Sequence, residues 1–387
     1  MKILLIRLRM IGDVVFTTPA IGALRRRFPH ATLSYLVETQ AAPVVAGNQQ
    51  LDEVIVIPLT FGLRRIVADL RIGRELRQRG FDVVIDFHGG PRGSWLAWLS
   101  GAPRRIGYTV AGRSWMYTEA IDRPRALRAR HSVQNQWDLL VPLGIAPPDR
   151  AIDPVTMAET PGARQRVERS LAAADVPPDA PLVVLHVSAG NPFRRWPLEH
   201  FAETAAALVA RDARRYVVLT SGPSEAAAAN RVGALAREAL PADLRAHVAR
   251  CGEFALDELK SLVERATLYI GGDSGPLHVA ATTKTAIVGI YGPTLPARSA
   301  PWRDPAAATE SVELHDLSCR PCDQRVCVHG DFRCLSRLTA AMVVEASEKA
   351  AAKAAGTSRD TPAAMSRAKS DTGDRRGPDV AHFGWQS

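Results

Sequence analysis

Long apolar runs are missing. Although 46% of the chain is hydrophobic, no run approaches the roughly 18 residues a membrane-spanning helix needs. The first apolar stretch ends at Arg7, too short for the core of a secretory signal, so the expected location is the cytoplasm. Aromatic residues make up only 6% of the chain. With no aromatic-rich platform and no nucleic-acid motif, nucleic acid is not an expected partner. The first strand is not followed by G-x-G-x-x-G; I-G-D-V-V stands there instead, which argues against a nicotinamide oxidoreductase. There is no Asp-x-Asp pair to clamp a metal. Cysteine is sparse, and four of the five fall between Cys319 and Cys334.

What is present is positive charge, unevenly spread. Residues 1–150 hold 21 Lys and Arg against 12 Asp and Glu, while residues 151–387 hold 28 of each. The whole +9 excess lies in the first half. Arg64, Arg65, Arg71, Arg74, Arg77 and Arg79 form one concentration. Arg104, Arg105, Arg113, Arg123, Arg125, Arg128 and Arg130 form another. Such a field favours an anionic substrate or membrane surface, although any single Arg can equally sit on a solvated helix face.

The 387 residues suffice for two domains of ordinary size. Strands are expected at Ile3–Leu8, Leu33–Val37, Val54–Ile57 and Phe81–Phe87. Helices are expected at 14–28, 63–79 and near Trp95–Leu99. The strands are continuous apolar runs, as parallel strands covered on both faces should be. Prolines crowd 142–181 around one short helix at 162–173, an interdomain pattern. The alternation then restarts. Strands are expected at Leu182–Val187, Tyr216–Thr220, Leu268–Ile270 and Ala286–Tyr291. Helices are expected at 197–211, 223–239, 256–266 and 275–283. The fold class is therefore α/β, with two doubly wound Rossmann-like halves facing a cleft.

Three strand ends carry the chemistry. In YIGGDSGPLHVAA a strand passes through Asp273, Ser274 and Gly275 into a helix with Pro276 in its first turn. Free backbone N–H groups at such a start suit phosphate, and His278 lies one turn in. The alternative is ordinary strand-to-helix punctuation with a satisfied histidine. In HVSAGNPFRRWP, Ser188 lies in a small polar loop. Arg194 can grip a diphosphate with its planar fork, while Trp196 reads as core. In S-G-P-S-E, Glu225 can meet ribose hydroxyls or simply favour a helix start. A fourth position stands apart. Asp13, in RLRMIGDVVF, is either the N-cap of the helix at 14–28 or a base beside a substrate.

The N-terminal R-x-x-x-I-G-D-V-V, the central S-A-G-x…R-R-W-P and G-G-D-S-G-P-L-H-V-A-A together resemble glycosyltransferase family 9. The characterised members of that family are ADP-heptose:lipopolysaccharide heptosyltransferases. The resemblance covers about residues 1–350. It implies a GT-B architecture: an acceptor-binding domain at 1–160, a nucleotide-sugar-binding domain at 161–353 ending in a helix at 335–353, and a disordered tail at 354–387. It implies an inverting transferase that moves a heptose from ADP-heptose to the acidic lipopolysaccharide inner core, with Asp13 as general base. Ser188, Arg194, Glu225, Asp273, Ser274, Gly275 and His278 would hold the donor. Arg194 stands where the family usually has Lys. No cofactor is required, and peripheral contact with the cytoplasmic face of the inner membrane is left open. Two alternatives stay open: another nucleotide sugar for a cell-envelope glycan, and a non-catalytic envelope-assembly protein.

The cysteine cluster has the spacing C-x2-C-x4-C-x6-C through Cys319, Cys322, Cys327 and Cys334, with His329 among them. Reduced or redox-labile thiols are the favoured reading, and no metal is assigned. A structural zinc site and an iron–sulfur cluster are the other readings. Cys251 looks like a buried loner.

Overall fold

The computed structural model describes residues 1–123, 130–187, 191–322, 324–359 and 379–382. It divides into two compact units, 1–158 with 370–387 and 159–369. Among the described residues no helix is long and apolar enough to cross a membrane.

In the first unit the strands are β1 (Lys2–Ile6), β2 (Thr32–Glu38), β3 (Glu53–Ile57), β4 (Val83–Asp86), β5 (Arg104–Tyr108) and β6 (Glu119–Ile121). The helices are α1 (Ile11–Val15), α2 (Thr18–Arg27), α3 (Gly62–Arg79), α4 (Pro91–Leu99) and α5 (Ser132–Trp137). In the second unit the strands are β7 (Leu182–His186), β8 (Tyr216–Thr220), β9 (Val248–Ala249), β10 (Leu268–Gly272), β11 (Ala286–Tyr291) and β12 (Thr309–Glu313). Its helices are α6 (Ala163–Ala172), α7 (Leu198–Arg211), α8 (Ala226–Glu238), α9 (Leu256–Arg265), α10 (Gly275–Ala280), α11 (Pro296–Ser299), α12 (Arg333–Ser336) and α13 (Ala340–Arg359). A last strand, β13 (Asp379–His382), returns to the first unit.

Both sheets are parallel. The first runs β13-β3-β2-β1-β4-β5-β6 and the second β12-β11-β10-β7-β8-β9. The apolar runs explain why. Ile3–Ile6, Val54–Ile57 and Leu182–Leu185 are essentially sealed from solvent, so helices must cover both faces. The chain order reverses between β1 and β4, and again between β7 and β10. Crevices at such switch points, outside the carboxyl ends of the strands, are where ligands bind in this architecture.

Local sequence sets the boundaries. α3 buries Ala68, Ile72 and Leu76 and ends at Gly80, whose φ of 65° makes the left-handed cap that glycine adopts without strain. In β5, a Cβ on Gly107 would come within 2.3 Å of the Tyr117 ring, so only glycine lets that ring pack there.

Three expectations change. The helix at 14–28 is two helices, α1 and α2, because Pro19 cannot continue an earlier helix and instead starts a new one. The helix expected at 335–353 begins at Ala340, just after Thr339 takes the Met342 N–H at 3.4 Å. Its run of alanines carries it on to Arg359. Within the segment read as a disordered tail, Asp379–His382 pairs in parallel with Glu53–Val56 of β3, since an edge strand offers unpaired backbone groups. Arg125, Arg128 and residues 360–378 lie outside the described residues.

Candidate functional site

The second unit gathers its candidate residues at the β7/β10 switch point. After β7, Asn191 accepts the Phe193 N–H at 2.9 Å and turns the chain so that Arg194 faces the end of β10. Arg194 Nη1 donates to the Asp273 carbonyl at 3.0 Å and lies 3.3 Å from its carboxylate. Arg194 Nε donates to Gln324 Oε1 at 2.7 Å. His278 Nε2 stands 3.5 Å from the other Asp273 oxygen. Asp273 is 3% exposed. Burial pushes its pKa up, but His278, Arg194 and Thr294 outweigh that and bring it down to about 2. The result is a fixed carboxylate that holds Arg194 and His278 beside it at the β7/β10 switch point. Ser274 caps α10 by position, with Pro276 in the first turn, but its Oγ turns back to the Gly272 carbonyl at 3.2 Å.

The neighbouring strand supplies Glu225, 9% exposed, in a turn after β8. Arg195 Nη2 lies 3.9 Å from its Oε1. A Cβ on Gly222 would meet Glu225 Oε2 at 2.7 Å, so glycine there lets the carboxylate fold over its own turn. Arg194, Glu225, Asp273, Ser274, Gly275 and His278 thus lie on the adjacent ends of β7, β8 and β10. Ser188 lies outside the described residues. Trp196 is 3% exposed and donates to the Leu338 carbonyl at 2.7 Å, a core role.

The first unit places Asp13 beyond the end of β1. It is not an N-cap. Met10 holds that position with φ 70°, a conformation that costs a non-glycine residue on the order of 1 kcal/mol or more. Asp13 is the third residue of α1, and its Oδ2 pairs with Arg7 Nη2. Arg7 is itself anchored: Nη1 donates to the Phe87 carbonyl at 2.6 Å, just past β4. The guanidinium therefore spans the β1/β4 switch point and orients the carboxylate. The Asp13 side chain remains 36% exposed.

Beside this pair lies a pocket lined by Arg9, Glu38, Thr60, Arg65, His88 and Arg92 among others. Burial, then Arg7, Arg9, Arg92 and Arg65, push the His88 pKa down to about 3, so it faces the pocket as a neutral ring near pH 7. Arg92 is 5% exposed and meets Glu38 at 2.6 Å and Asp69 at 2.8 Å, a buried triad that locks β2, α3 and α4 together. Asp86, fully buried, accepts the N–H groups of His88 and Gly89 and the Tyr117 hydroxyl at 2.6 Å. Burial nonetheless raises its pKa.

Sequence reasoning missed Arg7, His88 and Gln324. Arg7 heads the very motif that contains Asp13, which was the available signal. His88 follows β4, a strand end of the same kind as those of β7, β8 and β10. Gln324 sits in a loop without periodicity and carried no signal. Ion pairing thins the charge field: Arg79, Arg92, Arg104 and Arg130 are paired with carboxylates.

The model of the family described as glycosyltransferase family 9 (heptosyltransferase) matches residues 70–332. Lipopolysaccharide heptosyltransferase 3 of Escherichia coli is 27% identical over 292 residues, covering 74% of this chain and 82% of the relative. Lipooligosaccharide heptosyltransferase 2 of Haemophilus influenzae is 24% identical over 333 residues, 84% and 92% of the two chains. Among solved structures, a glycosyl transferase family 9 protein from Veillonella parvula superposes with TM-score 0.77 at 24% identity, covering 91% of this chain and 97% of that one. The E. coli ADP-heptose lipopolysaccharide heptosyltransferase II gives TM-score 0.72 at 20% identity, covering 92% and 100%. These likenesses show the fold, two Rossmann-like units of the GT-B class.

Proposed function

The chain belongs to glycosyltransferase family 9, the heptosyltransferases, a family of nucleotide-sugar-dependent enzymes, and on that premise we propose that it moves a heptose from ADP-heptose to an acidic saccharide of the lipopolysaccharide inner core, with inversion. The donor is held by the second unit and the acceptor by the first. The observation that carries this reading is the convergence of Arg194, Asp273 and His278 at the β7/β10 switch point.

Asp13 is the base. Arg7 takes one carboxylate oxygen, and the other receives the proton of the acceptor hydroxyl. The acceptor oxygen then bonds to the anomeric carbon while the bond from that carbon to the diphosphate oxygen breaks, and ADP leaves with the electron pair. Arg194 and His278 stabilise the charge growing on the diphosphate, preorganised by Asp273. Glu225 accepts from ribose hydroxyls. Ser274 and Gly275 present backbone N–H groups to a phosphate. Ser188 belongs to the same proposal through its place after β7.

The acidic acceptor enters the pocket of Arg9, Arg65 and neutral His88, where a carboxylate or phosphate would relieve the mutual repulsion of the arginines. Contact with an anionic membrane belongs to the same reading. α3 and the turn before it expose Phe61, Ile66, Val67 and Leu70 among Arg64 and Arg74, an apolar patch with a basic surround.

The test is a product assay. Purified protein receives ADP-heptose and heptose-deficient lipopolysaccharide, and mass spectrometry reads the acceptor. Addition of one heptose supports the reading. ADP binding without product moves the doubt to sugar or acceptor, and neither binding nor product sinks it.

A further inference from the structure

The segment between β12 and α12 is held by polar contacts, among them Arg320 to Glu313 and to the Thr294 carbonyl, and by little apolar packing. Residues 314–332 contain no helix or strand among those described. Val326 and Val328 are 71% and 83% exposed, so the loop builds no core of its own. Gln324 and Phe332 adopt positive φ of 62° and 48°, which strains a non-glycine backbone. Loops of this length without internal structure are usually functional or tied by something other than packing.

The cysteines offer a further tie. Cys319, Cys322, Cys327 and Cys334 all line one cavity, walled by Phe193 and Pro293. All four are free thiols. Two of the sulfurs collect backbone donors. The Gln324 N–H reaches Cys322 Sγ at 3.3 Å, and the Cys327 sulfur takes N–H groups from His329, Gly330 and Phe332. Such donors steady a metal-bound thiolate and tune its charge. Arg320 and Arg333 line the same cavity. They are paired with Glu313 and Asp331, yet they still place positive charge beside a centre that would carry net negative charge with four thiolates.

We propose that Cys319, Cys322, Cys327 and Cys334 form a four-thiolate site for a tetrahedral divalent metal of the zinc or iron(II) kind, which fastens this loop. The soft, all-sulfur donor set selects those metals over magnesium or calcium. Among the described residues no three His, Cys, Asp or Glu side chains already stand at ion-holding distance. Binding therefore draws the sulfurs inward across the cavity as the thiols shed their protons.

The fastened loop reaches the donor site. Gln324 Oε1 accepts from Arg194 Nε at 2.7 Å and from Asn191 Nδ2 at 2.8 Å. The Cys322 N–H donates to the Pro293 carbonyl at 3.1 Å. The metal thus braces the arginine that grips the diphosphate. This bracing rests on the donor-site reading, whereas the metal site does not.

The experiment uses the full chain, purified without chelator. Elemental analysis should find about one equivalent of zinc plus iron per chain, with Cys251, expected to be buried but only half-buried in the structure, the sole thiol that reacts without unfolding. Cobalt(II) exchanged into the site should give the charge-transfer and ligand-field bands of tetrahedral thiolate coordination. The Cys251→Ser variant should keep the metal, and the Cys322→Ser/Cys327→Ser double variant should lose it. Because that variant can fail to fold, the wild-type measurements decide alone. Metal below about a tenth of an equivalent, freely reactive thiols and no cobalt bands would overturn the site, as would disulfides between these cysteines. Metal retained in the double variant would also overturn it. Chelation that leaves the protein folded should weaken ADP binding several-fold. Unchanged ADP affinity would remove the bracing only, and no ADP binding in either state would refute the donor reading while leaving the metal in place.

Discussion

Replacing Asp13 by Asn removes one charge and almost no volume. If Asp13 is the base, turnover should fall about 10²–10⁴-fold, equivalent to a barrier raised by about 2.7–5.5 kcal/mol. The cost to the fold should be far smaller. Arg7 keeps its bond to the Phe87 carbonyl at 2.6 Å, and the Asn oxygen still accepts from the guanidinium. The lost attraction is screened, because the Asp13 side chain is 36% exposed, so about 1 kcal/mol is a fair expectation. That corresponds to a melting shift of roughly 2–4 °C in a unit of this size. ADP binding, which the proposed function assigns to the second unit, should not change. The assay is initial rate at saturating donor and acceptor, with a thermal melt and ADP titration on the same preparations. A rate within about tenfold of wild type would refute Asp13 as base. So would a rate loss matched by lost ADP affinity, since the substitution would then act through folding and not through proton transfer.

Arg194→Ala should weaken ADP binding by about 10–150-fold, the loss of charge-assisted hydrogen bonds of about 1.5–3 kcal/mol, while Arg194→Lys should keep most of the affinity; calorimetric titration separates the two, and equal losses would mean that the fork geometry matters more than the charge. His88 has a folded pKa near 3 against an ordinary 6.5, so the unfolded chain binds more protons between those values. Its neutral form supports the fold fully above pH 6.5, and that support drains away as pH falls toward 3, at up to about 1.4 kcal/mol per pH unit. Urea unfolding at pH 7 and pH 4.5 should therefore show a smaller acid loss in His88→Gln than in wild type, and equal losses would remove His88 as the source. Phe61→Ser/Ile66→Ser should reduce sedimentation with anionic phosphatidylglycerol vesicles by at least about tenfold, since burying one such side chain is worth about 1.5–3 kcal/mol; unchanged sedimentation would detach α3 from the membrane.

Which parts of this molecule could be seen in its sequence follows from how each part is encoded. β7, β8, β10 and β11 are continuous apolar runs, and their ends could be located from the string alone. In a parallel sheet those ends share one edge, so Arg194, Glu225 and Asp273 could be grouped without knowing a distance. β5 (RRIGY), β6 (EAI), β9 (VA) and β12 (TESVE) passed unseen because strands toward the sheet edges are short or mix polar with apolar residues. Side-chain pairing is a different kind of information. The excess of arginine in the first half is a sum over the chain, whereas the commitment of Arg92 to Glu38 and Asp69 depends on where β2, α3 and α4 meet. The same holds for Asp13: its motif marks the position, but only the path of Arg7 across the β1/β4 switch point shows which oxygen is occupied. Gln324 is the extreme case. Its loop has no period to read, and its hydrogen bond to Arg194 spans 130 positions. Strand ends therefore tell where a ligand of this fold binds and place Arg7 and Asp273 there, whereas a positioning residue such as Gln324 comes from a segment whose sequence carries no period at all.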